Sequence, residues 1–300
     1  MWRIMLGNSL GYPLKYCKAF SGLVLTLIAG VSLYAQVNPK AEDLYQRTCY
    51  QESLRLLDQK SSDPDVQNLI GRDYFMMGDF KKAIDNFQQA FDAAPTSDNA
   101  MWLGRTWGRR AETSNPFFAP SYASKARQWL EKATELDPKN SDALADLFDY
   151  YLEAPGFLGG GYDKAQAVAR QISAVDPAEG YFSRAKLAEK KNEYDAAEAQ
   201  LRRAVEVAPR EVGHVIALAK FLAKQGRSEE SDAVFAKAER LAPQSPKVWY
   251  ARADTLIKQK RNLSEARQLL EKYLQSSSLT PDDPSKSTAQ KLLRQVETGA

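Results

Sequence analysis

A register of prolines constrains this chain more than any other feature. Pro95, Pro138, Pro177, Pro209 and Pro243 each follow a small residue by twelve positions: Ala83, Ala126, Ala165, Ala197 and Ser231. Eight positions before the prolines stand Phe87, Leu130, Ala169, Leu201 and Phe235; five before stand Ala90, Ala133, Ile172, Ala204 and Ala238. Residues three and four apart are neighbours on a helix, so the pattern draws one packed stripe on each of five helices. The proline then ends the helix, because its ring cannot continue the hydrogen-bond ladder and the residue before it is pushed out of the α region. The recurrence, at about 34 residues, predicts an all-α array of stacked units, an architecture that offers extended surfaces for binding.

Ahead of the array, residues 1–36 read as a separate segment. Arg3, Lys15 and Lys18 lead into an apolar stretch from Ala19 to Leu33, followed by Tyr34-Ala35-Gln36. A basic start, a short apolar run and a small residue at the end describe a secretory signal cut near Ala35. The alternative is an uncut membrane anchor, although the run falls short of the ~20 residues of a spanning helix. Cys17 precedes the apolar run and is not placed as a lipidation site. Export to the periplasm or beyond is the expected location, with inner-membrane anchoring as the alternative.

The leader holds three of the 41 basic residues and none of the 38 acidic ones, which leaves the remainder with no net charge. A nucleic-acid binder is expected to carry a basic footprint, so no nucleic-acid partner is expected. Cys49 is the only cysteine beyond the leader, and burial as a small hydrophobe suits a lone thiol better than pairing with another chain.

Each proline-ended helix is preceded by a second helical segment. The first full unit runs Ile70-Gly71, Tyr74 and Gly78, then Phe80, Ala83, Phe87, Ala90 and Pro95. The second has Leu103-Gly104 and Trp107 before Ala126, Leu130, Ala133 and Pro138. Later units repeat the order, and a sixth, with Ala266, Leu270 and Tyr273, lacks the proline. This succession resembles the tetratricopeptide repeat. The resemblance implies a right-handed α-solenoid of helix-turn-helix repeats over residues 41–276, one shortened copy and six full ones. Residues 277–300 then form a linker and a capping helix.

Units two and three carry extra residues between their two helices. The first insertion spans about Ala111 to Ser124, and the second runs from Pro155 to Tyr162 with a triple glycine. Repeat insertions often mark a binding side, which makes Phe117, Phe118 and Phe157 candidate loop contacts. The alternative is that these rings fold down to patch irregular stacking. The glycines follow no strand and no Gly-Lys-Ser/Thr is present, so they do not read as a phosphate loop.

In repeat proteins of this kind the first helix of each unit lines a concave groove for an extended peptide or partner helix. By position, the resemblance places Arg72, Phe75, Arg105, Arg109, Phe182, Lys186, Lys190, Lys220, Lys224 and Tyr250 on that surface. Positive side chains prevail among them, which suits an acidic or carboxylate-ended segment. Lys186 and Lys220 are expected to be exposed. The alternative is an ordinary solvated helix face. The lysine-asparagine pattern with which chaperone-binding members clamp a terminal carboxylate is not reproduced.

Chemistry is sparse. His214 is the sole histidine and stands at a helix start with no evident partner for metal or acid–base work. Asp142, Asp146, Asp149 and Glu153 share a helix without the spacing of a calcium loop, and read as a hydrated acidic stripe. No cofactor, metal or catalytic residue is expected, and the chain is not read as an enzyme. The expected role is a protein-interaction scaffold in the bacterial cell envelope with a protein or peptide partner. The alternative is a membrane-anchored accessory subunit of a transport or assembly complex, touching the membrane only through its amino-terminal segment.

Overall fold

The computed structural model describes residues 37–298; the segment read as a leader, residues 1–36, lies outside the described residues. Every regular element in the described span is helical. A short pair comes first, α1 (Pro39–Gln46) and α2 (Tyr50–Arg55). Then follow α3 (Pro64–Met76) with α4 (Phe80–Ala93), α5 (Ser97–Thr113) with α6 (Ala119–Leu136), and α7 (Ser141–Glu153) with α8 (Tyr162–Val175). The series continues through α9 (Pro177–Lys190) with α10 (Tyr194–Val207), α11 (Val212–Lys224) with α12 (Ser228–Leu241), and α13 (Pro246–Lys258) with α14 (Leu263–Gln275). A last helix, α15 (Lys286–Thr298), lies against α13 and α14. The chain is an α-solenoid.

The helix ends follow from local chemistry. Asp63, Asp79, Thr96, Asn140 and Asp176 each stand one residue ahead of a helix and accept hydrogen bonds from its first-turn amides, which satisfies donors that have no partner inside the helix. Pro95, Pro138, Pro209 and Pro243 directly follow the residues that close α4, α6, α10 and α12. Pro177 has a second role. Asp176 closes α8 and opens α9, and Pro177 is the first residue of α9, where its missing N–H costs nothing.

Pairs pack closely because the contact positions are small. A Cβ on Gly71 would lie 2.7 Å from the Phe87 ring, and one on Gly104 would lie 2.7 Å from the Leu130 side chain. Ala83, Ala126, Ala165 and Ala197 are fully buried. Large residues then fill the spaces between pairs: Phe87 stacks on Trp102 at 5.5 Å, and Phe91 meets Trp129 edge-on at 4.9 Å. The buried residues form a string of clusters along the array rather than one core, as expected when each unit is held by its neighbours. First helices touch the next first helix at α3–α5, α5–α7, α7–α9 and α11–α13, whereas successive second helices barely meet. The array therefore curves with its first helices inside.

The first insertion differs from expectation. Most of Ala111–Ser124 is helical, because α5 extends to Thr113 and α6 starts at Ala119, leaving 114–118 as the loop. In the second insertion, Gly156–Leu158 form one turn of 3-10 helix. There a Cβ on Gly160 would fall 1.8 Å from the Ala154 carbonyl oxygen, so close packing of backbone on backbone accounts for that glycine.

One buried acid has no comparable explanation in packing. Asp73 of α3 is fully buried, and neither carboxyl oxygen has a hydrogen-bond partner. Burial raises its pKa to about 7, with Ser53 and Arg72 pulling it down in part and Glu42 pushing it up. The folded carboxyl thus holds its proton to higher pH than the unfolded one. Folding is favoured most below the ordinary carboxylate range and loses stability as pH rises towards about 7. Asp73→Asn cannot ionise, so its melting temperature should gain on wild type between pH 5 and pH 8, by the equivalent of about 1–3 kcal/mol. Parallel thermal melts across that range check this; identical pH profiles would contradict it.

Candidate functional site

The concave face is built from α1, α3, α5, α7, α9, α11 and α13, and charged residues cross it from each helix to the next. Arg72 (α3) lies 3.9 Å from Glu42 (α1), with its guanidinium over the Tyr45 ring at 4.2 Å. Arg105 (α5) bonds Asp146 at 2.5 Å and approaches Asp142 at 3.9 Å, both on α7. Lys186 and Lys190 (α9) pair with Asp149 and Glu153 at the far side of α7, the latter at 3.1 Å. Lys224 (α11) reaches back to Glu189 (α9) at 2.9 Å, and Lys220 (α11) reaches forward to Asp254 (α13) at 3.7 Å. Partners stand 30 to 41 residues apart, which puts each charge one repeat from its counterpart.

This ladder corrects two expectations. Lys186 and Lys220 are not exposed: their side chains keep only 27 % and 30 % of their accessible surface. Burial depresses the Lys220 pKa more than Asp254 raises it. Nor is the acidic run on α7 a hydrated stripe, since Asp146, Asp149 and Glu153 are the anionic rungs. Charge on the groove is largely cancelled within the chain, whereas the residue types alone suggested a cationic ridge.

The remaining predicted groove residues divide. Phe75 is half-buried between Phe80 and Trp102, with ring centroids at 5.7 and 5.4 Å. Phe182 is half-buried beside His214 at 5.8 Å. Tyr250 is buried, its ring 5.3 Å from Tyr273, so it serves packing more than contact. Arg109 is exposed and paired with Glu112 within its own helix turn. His214 itself is buried, with its pKa lowered by burial, and stands 3.6 Å from Glu179. No cluster of potential metal ligands occurs among the described residues.

Sequence reading missed the segment joining α14 to α15. Tyr273 donates a hydrogen bond to the Pro284 carbonyl, and Thr280 donates from both amide and hydroxyl to Asp283. Leu279 is buried in the cluster of Leu270, Tyr273 and Ala289. These contacts fix the turn that carries Asp282, a solvent-exposed side chain. Crowding by surrounding protein raises its carboxyl pKa, while Lys247 (α13) and Arg105 (α5) pull it down. Asp282 also raises the pKa of Tyr45 and, with Asp283, that of Tyr50. The acidic turn thus acts electrostatically on residues of α1, α2, α5 and α13. The sequence reading placed only a linker and a capping helix over 277–300; the electrostatic reach of Asp282 to α1 and α5 depends on how far the array turns.

At the turns between α5 and α6 and between α7 and α8 the loop aromatics stand out. Phe117 is 84 %, Phe157 73 % and Phe118 53 % exposed. They do not fold down between units.

Comparison with known proteins agrees with the architecture. A family model described as tetratricopeptide repeat matches residues 182–246 and 216–284. The chain is similar to the crystal structure of a tetratricopeptide repeat protein from Parabacteroides merdae ATCC 43184, with 14 % identity, TM-score 0.56, and coverage of 88 % of this chain and 98 % of that one. It is also similar to a thermophilic TPR protein of Thermus thermophilus, with 22 % identity, TM-score 0.48, and coverage of 59 % and 88 %. No curated protein matches. The fold shared with the first of these structures is a solenoid of helical repeats.

The ladder can be tested directly. Lys186→Glu sets a second carboxylate beside Asp149 and should cost about 1–3 kcal/mol, less than a fully buried pair because water still reaches the lysine. Adding Asp149→Lys restores opposite charges and should recover most of the loss in a thermal melt.

Proposed function

We propose that this solenoid, which resembles tetratricopeptide-repeat proteins, is an interaction scaffold of the bacterial cell envelope whose concave face receives an extended acidic segment of a partner. The observation that carries this reading is the curvature of the array with its first helices inside; Arg105 and Lys247 on that face also lower the pKa of Asp282. An acidic segment of the chain itself acts electrostatically on residues of that face, which suits an acidic partner there. The rungs on either side cancel one another, so a partner gains there mainly through apolar and aromatic surface, with charge fixing its register. Exposed parts of the half-buried Phe75 and Phe182 supply that surface.

A labelled peptide copying residues 277–285 serves as the probe, with binding read by fluorescence anisotropy on the full chain. Asp282→Ala should raise its affinity about tenfold over wild type, equivalent to 1.4 kcal/mol, because the internal competitor is weakened. Lys247→Glu added to Asp282→Ala should remove the gain. Equal binding by all three proteins would sink the reading.

Location supports two versions of the role. The basic start and apolar run of residues 1–36 favour an exported, processed scaffold; left uncut, the same run would anchor an accessory subunit of an envelope complex. Mass measurement of the protein recovered from cells should show an amino terminus near Gln36. An intact leader would favour the anchored version.

A further inference from the structure

The loop edge carries a second cluster of exposed aromatic residues, separate from the groove. Its two turns, residues 114–124 and 154–162, contain no charged side chain, and they carry the three most exposed large hydrophobic residues described, Phe117, Phe157 and Phe118. The helix that follows the first turn, α6, packs against the 3-10 turn at Gly156–Leu158. Both are braced. The Tyr150 hydroxyl donates to the Leu158 carbonyl at 2.9 Å. Phe117 meets Phe118 at 5.5 Å, Phe118 meets Tyr122 at 6.4 Å, and Tyr122 meets Trp107 at 5.4 Å.

Cations lie behind these tips, over the rings at the base. Arg110 sits 4.9 Å from the Tyr122 ring, Lys125 4.2 Å from Trp107 and Lys164 5.3 Å from Tyr151. Their hydrogen-bonding and ring contacts leave their charge in place, whereas the nearby acids Glu112 and Glu131 are matched by Arg109 and Arg127. Asp163 adjoins the set and leaves its balance positive. Apolar tips in front and cations behind reproduce the layering of an anionic bilayer surface, where acyl chains lie below a plane of phosphates. A water-exposed phenylalanine has little reason to stand at 84 % exposure unless something apolar covers it.

We propose that this edge of the solenoid docks on an anionic lipid surface, with Phe117, Phe118 and Phe157 entering the boundary between headgroups and acyl chains and Arg110, Lys125 and Lys164 facing the phosphates. The concave face is then left open for its partner. The surface is independent of the groove reading, and either can fail without the other.

The test uses the full chain with Cys17→Ser and Cys49→Ser, carrying an environment-sensitive nitrobenzoxadiazole label at Phe117→Cys. A control carries the label at Arg210→Cys, an exposed position on another turn. Vesicles of phosphatidylcholine with phosphatidylglycerol should shift emission from the first label to the blue and allow quenching by doxyl-labelled lipid. The control label reports tethering alone and should not shift. Phosphatidylcholine vesicles, or Arg110→Gln with Lys125→Gln, should weaken the response severalfold, because headgroup attraction is lost. No shift on either vesicle, an equal shift at both positions, or an equal shift on both vesicle types would overturn the proposal. So would a shift without lipid that grows with protein concentration, which would mark a second copy of the chain as the occupant.

Discussion

Close approach at small side chains supports every other feature of this solenoid. Where Gly71 faces Phe87 and Gly104 faces Leu130, no room remains for even one extra carbon. The two helices of a unit come together there, and the large side chain that occupies the space also reaches the following unit, as Phe87 does on Trp102. Stability is thereby passed along the array, since no pair encloses a core by itself. Curvature has the same origin, because first helices approach one another and second helices do not.

The curved inner face brings charges from successive repeats into contact, and it does so with alternating sign. Arg105, Lys186, Lys190, Lys220 and Lys224 each meet a carboxylate of a neighbouring unit. Pairs of this kind that keep some water contribute modestly to stability, but they set the stagger of one helix on the next. They also change what the groove can recognise. A cationic trough would attract any polyanion, whereas a cancelled ladder interrupted by aromatic residues discriminates by shape and by a few remaining charges.

Much of the fold was legible in the residues because its determinants are local and repeated. The small-large-small stripe and the closing proline mark α4, α6, α10 and α12 without any knowledge of their neighbours. Pro177 shows a limit, since the same residue that ends one helix can begin the next when an aspartate precedes it. The insertion at Ala111–Ser124 shows another: helix propensity and neighbouring contacts carried α5 and α6 into what composition marks as loop. The site was less legible. Groove positions followed from register, but their pairing depends on contacts 30 to 41 residues apart, and the electrostatic reach of Asp282 to α1 and α5 depends on how far the whole array turns. The exposure of Phe117 and Phe157 likewise depends on the presence or absence of a neighbouring unit to receive them.

The turn at Asp282 gives this array a property that open solenoids lack. In a linear stack the terminal units have one neighbour each and fray first. Here the segment after α14 addresses Tyr45 and Tyr50 at the opposite extremity, and Tyr50 in turn influences Tyr273. The two ends of the described array are thus coupled electrostatically, so that the ionisation of residues at one end depends on charge at the other.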